Sequence, residues 1–175
     1  MPKFKRIYEW CAGPAFLGFY FLAHGLCESL CLTDVYQPAI DCVRKTIAEN
    51  GLEDRVTVYL SDSLDDVPET EVWDLVISNP PHFVQPVQVM GWDAQRKTVD
   101  PGWEIHQRFY DKVRRHLSRT GLIALLENGN GSHVETFRPM IEDNGLKLLH
   151  WQWSAGLRAM YYLYAARDDS PLKFT

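Results

Sequence analysis

Asn79, Pro80, Pro81 and His82 directly follow the apolar run WDLVIS. Proline fixes its own φ angle and lacks a backbone donor, so two consecutive prolines stiffen the turn. The residue before a proline is driven towards an extended conformation, which fixes the backbone at Asn79. The side-chain carbonyl of Asn79 and the neighbouring backbone carbonyls then converge as acceptors. A group with two N–H protons would fit them, and a plain turn is the alternative interpretation.

Two aspartates follow earlier apolar runs in a similar way. Asp34 ends SLCLTD, and Asp62 lies in Ser61-Asp62-Ser63 directly after VTVYL. A carboxylate at the position of Asp34 can accept both hydroxyl protons of a ribose, and Asp62 could accept from an adenine amino group. Each has a structural alternative, because Asp34 could cap the following helix and Asp62 could be a solvated loop residue.

The segment EWCAGPAFLG could form a ligand-binding turn between a strand and a helix. Small residues let the backbone approach a ligand, and the first turn of a helix presents free N–H groups. Of the three positions where glycine is expected, only Gly13 is a glycine, while Cys11 and Ala15 occupy the others. An ordinary strand-to-helix turn is therefore the alternative here.

These groups need a scaffold, and the chain alternates β-rich runs with helical periodicity. Seven strands are predicted, and their sequences are IYEWCA, SLCLTD, VTVYL, WDLVISN, GLIALLEN, KLLHWQW and AMYYLYAAR. Helices are predicted over AFLGFYFLAHG, over 37–50, over 103–117 and around Val134, Phe137 and Ile141. There is no room for a helix between the last two strands, so they are predicted to pair antiparallel.

This alternation predicts an α/β fold, an open parallel sheet with helices on both faces. In such sheets ligands bind beyond the carboxyl ends of the strands, where the polar groups above are expected to meet. The stretch 82–102 contains two prolines, two glycines and a tryptophan. Because long irregular connections are usually functional or mobile, it is a candidate substrate loop or lid.

The composition is that of a globular protein with a single domain over 1–175, with 46% hydrophobic and 23% charged residues. The net charge of −5 disfavours broad binding to a nucleic-acid backbone. A local basic patch is still compatible with the sequence, and its members are Arg96, Lys97, Arg108, Lys112, Arg114, Arg115 and Arg119. No apolar run reaches the roughly 18 residues of a membrane span, and no secretory signal is evident. A cytoplasmic protein without a membrane partner is expected.

The sequence has no Cys-x-x-Cys pair, and its four cysteines are Cys11, Cys27, Cys31 and Cys42. They fit small buried thiols in a reducing compartment. A metal site built from His24, Cys27 and Cys31 is an alternative, but Cys31 lies in a predicted buried strand. No metal is therefore expected.

The order of these segments resembles the class I S-adenosylmethionine-dependent methyltransferases. Asn-Pro-Pro is similar to the [N/D]PP[Y/F] turn of enzymes that methylate amino and amide nitrogens. Within that group the sequence most resembles the enzymes that methylate the glutamine amide of translation release factors. The similarity extends over IHQRFYDKV and GLIALLENGNGSHVETF. It implies a Rossmann-like three-layer sandwich with a seven-stranded, mostly parallel sheet and an antiparallel last strand.

The resemblance also implies a cofactor, S-adenosyl-L-methionine, with S-adenosyl-L-homocysteine as the product. The residues implied to bind this cofactor are Glu9, Cys11, Gly13 and Ala15 for the methionine part, Asp34 for the ribose and Asp62 for the adenine, together with Val35, Ser63 and Asn79. Asn79, Pro80 and His82 are the implied catalytic residues. The substrate would contact Pro81, His82, Phe83, Trp92 and Trp103.

Two departures from the family pattern affect these implications. His82 replaces the usual Tyr or Phe, and it could stack on the substrate, accept a proton or line the pocket wall. Only six residues precede the predicted first strand, so the helical amino-terminal domain of the release-factor enzymes is expected to be absent. A homodimer or a partner subunit would then replace that recognition domain.

We therefore predict an N-methyltransferase that acts on an amide or amino nitrogen of a small molecule or a peptide. The first alternative is a nucleic-acid base methyltransferase, because SNPPHF is also close to the NPPF turn of ribosomal RNA guanine methyltransferases and could clamp a flipped base. The second alternative is a cofactor-binding subunit that is inactive without a partner.

Overall fold

The computed structural model describes residues 4–86 and 97–173. Within these ranges one sheet contains seven strands: β1 Phe4–Trp10, β2 Cys27–Asp34, β3 Val56–Leu60, β4 Trp73–Ser78, β5 Leu117–Asn128, β6 Leu146–Trp153 and β7 Met160–Arg167. The helices of the described ranges include α1 Phe16–Ala23, α2 Gln37–Asn50, α3 Glu104–Val113 and α4 Val134–Glu142. Short 3-10 turns, Pro101–Trp103 and Arg114–His116, lie on either side of α3.

The strands lie in the order β3-β2-β1-β4-β5-β7-β6. The pairs from β3 to β5 are parallel, whereas β7 is antiparallel to both β5 and β6. This confirms the predicted α/β fold with a mostly parallel sheet and an antiparallel last strand. The connection between β6 and β7 is too short for a crossover, which forces their antiparallel pairing.

β1 lies between β2 and β4, and this arrangement creates a crevice at the carboxyl end of the sheet. The chain leaves β1 towards β2 and returns on the other side with β4, so the connections that follow β1 and β4 diverge. Trp10 and Ser78, the last residues of the two strands, are paired in register. The Ser78 hydroxyl also donates to the Trp10 carbonyl at 2.5 Å. The turns after these two strands therefore start side by side.

Alternate residues of the central strands enter two separate cores. Ile7 of β1 packs in a cluster with Leu22 of α1 and Val43 of α2. Its neighbour Tyr8 packs instead with Phe109 of α3. The sheet is thus covered on both faces, as the nearly continuous apolar strands predict.

The first strand differs from its predicted bounds at both ends. It begins at Phe4 instead of Ile7, because Phe4 and Arg6 pair with β2 although Lys5 and Arg6 are basic. Arg6 is held in the sheet by a 2.6 Å ion pair with Glu71. At the other end Cys11 has a φ of 51°, which ends the strand. The apolar pattern identified only the second half of this strand, from Ile7 to Trp10.

The predicted helix over 103–117 ends at Val113, and Leu117 is already the first residue of β5. Leu117 pairs with Trp73, and the pairing shifts register before Leu75. Gly121 permits this irregularity, since a Cβ atom there would lie 2.9 Å from the Trp73 carbonyl oxygen. Leu117 would be buried whether it belonged to the helix or to the strand. The apolar pattern therefore could not show which of the two elements contains it.

No helix in the part of the chain that the structure describes is long and apolar enough to span a membrane.

Candidate active site

The turn after β1 has three residues with left-handed backbone angles, although only one of them is a glycine. Cys11, Gly13 and Ala15 have φ values of 51°, 53° and 59°. For a residue with a side chain this left-handed region costs roughly 1–2 kcal/mol. These are the three positions at which glycine was expected. A Cβ atom added at Gly13 would meet nothing within 4 Å, so the space above this turn is open to a ligand.

Asp34 joins the end of β2 to this turn. Its carboxylate accepts from the backbone N–H of Gly13 at 2.7 Å and from that of Tyr36 at 2.8 Å. Tyr36 precedes the first residue of α2, and that helix has no side-chain cap at its start, so Asp34 is not a helix cap. An ionised carboxylate has about four acceptor positions, which leaves capacity for ribose hydroxyls. Val35, beside it, is exposed.

Glu9 is directed into the protein. It is 4% exposed, and its Oε2 accepts from the N–H of Gly18 in α1 at 2.7 Å. Burial raises the pKa of Glu9 to about 7, against the opposing effect of hydrogen bonds from the N–H groups of Gly18 and Leu17. The carboxyl group of Glu9 therefore holds the start of α1, and with it the turn that faces the crevice.

Asp62, which is expected to bind the adenine, and Ser63 beside it differ in environment. Asp62 is exposed and accepts from Nη1 of Arg108 in α3 at 2.6 Å. Ser63 is 4% exposed, has a φ of 58°, and its hydroxyl has no hydrogen-bond partner. A buried hydroxyl without a partner can bind a polar group of a ligand. The open turn at Gly13, the Asp34 carboxylate and the unpaired Ser63 hydroxyl offer the kinds of groups that could hold an adenosyl group.

The Asn-Pro-Pro-His turn is held by the chain that returns to it. Pro80 and Pro81 are buried, Asn79 is exposed, and Asn79 Oδ1 lies 2.9 Å from His82 Nε2. The N–H groups of His82 and Phe83 both donate to the Thr98 carbonyl, at 2.9 and 3.0 Å. The rigid turn predicted from the two prolines is thus reinforced by backbone bonds.

Only the two ends of the candidate loop 82–102 belong to the described residues. Residues 87–96, which include Trp92, lie outside them. At the returning end the Lys97 ammonium lies 5.2 Å from the centre of the Tyr36 ring. Trp103 is half-buried and packs edge-on against Phe137 at 5.1 Å. Its role in packing is therefore visible, whereas its predicted contact with a substrate stays a prediction.

Three buried polar residues that were not predicted lie behind the turn. Asp100, His106 and Glu127 are each 0% exposed. His106 Nδ1 lies 2.6 Å from Asp100 Oδ2, and its Nε2 lies 3.2 Å from Glu127 Oε1. Burial alone would lower the pKa of His106, but the two carboxylates outweigh that effect and raise it to about 9. His106 is therefore an imidazolium at neutral pH.

Glu127 also faces the Asn-Pro-Pro-His turn. Its Oε2 lies 3.5 Å from His82 Nδ1. The sequence contained one signal for this residue, a glutamate at the end of the apolar strand GLIALLEN. Periodicity could place Glu127, His106 and Asp100 in their elements, but it could not show that their side chains converge.

Most of the basic residues that could have formed a local patch are paired with acidic residues. Arg108 pairs with Asp62, Lys112 with Asp65, Arg114 with Asp168, and Arg115 with Glu69. Among the described residues no three His, Cys, Asp or Glu side chains are grouped so that they could hold a metal ion.

The sheet order and the crevice beside β1 define the class I, Rossmann-like methyltransferases, which use S-adenosylmethionine as methyl donor. The family model of the methyltransferase small domain matches residues 1–142. The chain belongs to that family.

Individual relatives agree with this assignment. Ribosomal RNA small subunit methyltransferase C of Haemophilus influenzae (strain PittGG) is 29% identical over 112 residues, which cover 64% of this chain and 29% of the relative. The same enzyme from strain PittEE is 26% identical over 112 residues, with the same coverage. The chain thus spans less than a third of the length of these curated relatives.

Solved structures share the fold at low sequence identity. The structure of M. capricolum TrmK with S-adenosyl-homocysteine has a TM-score of 0.68 at 13% identity, covering 95% of this chain and 63% of that chain. The ribosomal protein L11 methylase from Lactobacillus delbrueckii subsp. bulgaricus has a TM-score of 0.67 at 15% identity, covering 95% of this chain and 71% of that chain. At this low sequence identity, the similarity to these structures shows a shared fold and nothing more specific.

Proposed function

We propose that the protein transfers the methyl group of S-adenosylmethionine to an amide or amino nitrogen bound by Asn79 and Pro80. The observation that carries this proposal is the position of the Asn79 side chain. Asn79 is exposed and directly follows Ser78 at the end of β4. Ser78 is paired with Trp10 at the end of β1, and the chain after Trp10 forms the open turn at Gly13. A nitrogen held at Asn79 would therefore lie beside the part of the crevice that suits the cofactor.

The turn would make a poor nucleophile reactive. When bound, the cofactor supplies an electrophilic methyl group on a sulfonium sulfur. The lone pair of an amide or arylamine nitrogen is delocalised, and this delocalisation reduces its nucleophilicity. Hydrogen bonds from its two N–H groups to Asn79 Oδ1 and the Pro80 carbonyl would return electron density to the nitrogen and orient it. Positioning of this kind can supply roughly 7–11 kcal/mol of barrier reduction.

The rigidity of the turn supports this mechanism. Pro80 and Pro81 are buried, and the backbone of His82 is bonded to Thr98. The acceptors are therefore ordered before a substrate binds, which lowers the entropy cost of its orientation. The resemblance to the release-factor glutamine methyltransferases supports an amide as the acceptor group.

A nucleic-acid base is a second candidate substrate. The curated relatives are named ribosomal RNA methyltransferases. Trp153 is 55% exposed and lies over Gly129, since a Cβ atom there would be 2.6 Å from its ring. Gly129 lies two residues before Gly131, which abuts His82, so the connection beneath the exposed Trp153 ring also reaches the Asn-Pro-Pro-His turn. Such a ring could stack on an unpaired base. The net charge and the paired basic residues favour a small molecule or peptide instead.

The proposal is tested by Asn79→Ala with radiolabelled S-adenosylmethionine and a panel of acceptors. The panel contains glutamine peptides, small amides and amines, and RNA oligonucleotides. We expect Asn79→Ala to lower turnover by on the order of 100-fold, as for other hydrogen bonds aimed at a reacting group. Binding of S-adenosylhomocysteine, measured by calorimetry, should survive the substitution.

The matched control is Asn144→Ala, because Asn144 bonds to Met140 at the end of α4. It should leave turnover unchanged. If Asn79→Ala retains turnover within a few-fold of the parent, the role of Asn79 is wrong. A peptide or small-molecule acceptor that outperforms every oligonucleotide excludes the second candidate. Activity confined to oligonucleotides, with a steep dependence on salt, favours it.

A further inference from the structure

The described end of the connection that follows β4 reaches across the crevice to the start of α2. The Lys97 ammonium lies 5.2 Å from the centre of the Tyr36 ring, within the roughly 6 Å of a cation–π contact. Tyr36 follows β2, whereas Lys97 directly precedes Thr98, whose carbonyl is bonded to the turn after β4. β1 lies between β2 and β4, so Tyr36 and Lys97 meet from opposite sides of the strand that leads into the Gly13 turn.

The Lys97 side of this contact is fixed to the Asn-Pro-Pro-His turn. The Thr98 carbonyl accepts from the N–H groups of His82 and Phe83 at 2.9 and 3.0 Å. The N–H of Asp100 donates to the Phe83 carbonyl at 2.7 Å. Lys97 therefore extends from a segment that three backbone hydrogen bonds attach to the turn after β4.

The Tyr36 side of the contact is fixed to the opposite wall of the crevice. The N–H of Tyr36 donates to Asp34 Oδ1 at 2.8 Å, and Asp34 Oδ2 accepts from the N–H of Gly13 at 2.7 Å. The carboxylate that suits the ribose thus holds the backbone of Tyr36. The Tyr36 side chain is exposed and contacts Lys97.

These contacts form a closed ring around the place that suits the cofactor. Each member is joined to the next by the chain or by a contact, and in order they are Gly13, Asp34, Tyr36, Lys97, Thr98 and the turn after β4. The ring closes where the Ser78 hydroxyl donates to the Trp10 carbonyl. Among these described links, the contact between Lys97 and Tyr36 alone joins two side chains. Its opening leaves every backbone hydrogen bond of the ring intact.

We propose that the Lys97–Tyr36 contact is a latch that closes the crevice over the ribose of the cofactor. It opens when S-adenosylmethionine enters and when S-adenosylhomocysteine leaves. The inference concerns cofactor exchange and does not depend on the identity of the methyl acceptor. It adds Tyr36 and Lys97 to the cofactor site, where neither residue was predicted.

The strength of the contact suits repeated opening. An exposed cation–π contact favours the closed arrangement by only about two- to fivefold. Because the latch joins two groups of the protein, it favours closure equally in the free and in the bound protein. Its loss should therefore speed the entry and the release of the cofactor by the same factor. A residue that contacts the cofactor directly would instead change the dissociation rate and Kd together.

The test is surface plasmon resonance with the immobilised full chain and S-adenosylhomocysteine as the probe. Lys97→Met keeps the length of the side chain but removes its charge. In this variant the association and dissociation rate constants should both rise about two- to fivefold, and Kd should stay within about twofold of the parent value. Lys97→Arg keeps a cation and should restore the parent rates. The control Lys45→Met removes an exposed lysine of α2 that pairs with Glu49, and it should leave both rate constants unchanged.

Tyr36→Leu tests the other side of the contact. It should raise both rate constants by a similar factor. The double variant Lys97→Met/Tyr36→Leu should be no faster than either single variant, because all three lose the same contact.

Three results overturn the proposal. The first is a Lys97→Met variant with the rate constants of the parent. The second is a rise of the dissociation rate constant alone, with Kd rising in proportion, which would make Lys97 a direct contact of the cofactor. The third is a double variant in which the two single effects multiply, because the residues would then act separately. None of these measurements needs a methyl acceptor, so the failure of this inference is distinct from the failure of the proposed function.

Discussion

Gly131 lies directly against His82, in the connection between β5 and α4. A Cβ atom added at Gly131 would overlap the His82 carbonyl group and would lie 2.8 Å from Phe83 Cδ1. The N–H of Gly131 donates to the Asn128 carbonyl at 3.0 Å, so the connection turns sharply at the end of β5. The turn after β4 therefore packs against backbone, and its position depends on the absence of a side chain at Gly131.

Gly131→Ala should displace the Asn-Pro-Pro-His turn. We expect turnover to fall at least tenfold and the free energy of unfolding to fall by about 1–3 kcal/mol, the usual cost of overpacking. Steady-state kinetics and urea denaturation measure the two effects. Gly156→Ala is the matched control, because a Cβ atom there would meet nothing within 4 Å. Equal behaviour of the two variants would show that the close approach has no functional consequence.

Asp34→Ala should weaken the binding of the cofactor product. Removal of a charge-assisted hydrogen bond costs about 1.5–3 kcal/mol, which corresponds to a roughly 10- to 150-fold increase in Kd. Titration calorimetry with S-adenosylhomocysteine measures this change. The control is Asp143→Ala, which replaces an exposed aspartate at the end of α4. An unchanged Kd in Asp34→Ala would refute the ribose assignment.

Glu9 should make the stability of the protein depend on pH. Its pKa is about 7 in the folded protein, against 4.5 for an unperturbed side chain, because the carboxyl group is buried. The folded state then binds more protons than the unfolded state between these values. The free energy of unfolding should therefore fall as the pH rises from 4.5 to 7, by on the order of 3 kcal/mol.

Urea denaturation across this pH range measures the effect. In Glu9→Gln the decrease should be largely lost, because no carboxyl group remains to titrate at this position. The control Glu53→Gln replaces an exposed glutamate and should keep the decrease. A parent protein whose stability does not change over this interval would contradict the buried, protonated state of Glu9.

The sequence determined the strand and helix order and the chemistry at the strand ends. Periodicity gave the bounds of α2 and β3, because both are bordered by clear turn signals. The carboxyl ends of parallel strands meet at one edge, so Asp34, Asp62 and Asn79 could be assigned to one crevice before their positions were known. Glycine-like backbone at Cys11 and Ala15, in contrast, is visible only in their φ values.

Tertiary structure alone decided which side chains meet across that crevice. Asp100, His106 and Glu127 lie on three different segments, and a hydrophobic pattern reports which positions are buried but not which buried polar groups face each other. Gly131 could not be recognised from the sequence for the same reason. A side chain there would collide with the Asn-Pro-Pro-His turn, and its own φ does not require glycine. Local sequence fixes backbone geometry through short-range sterics, whereas the contacts of Glu127 with His106 and of Gly131 with His82 arise from the packing of elements far apart in the chain.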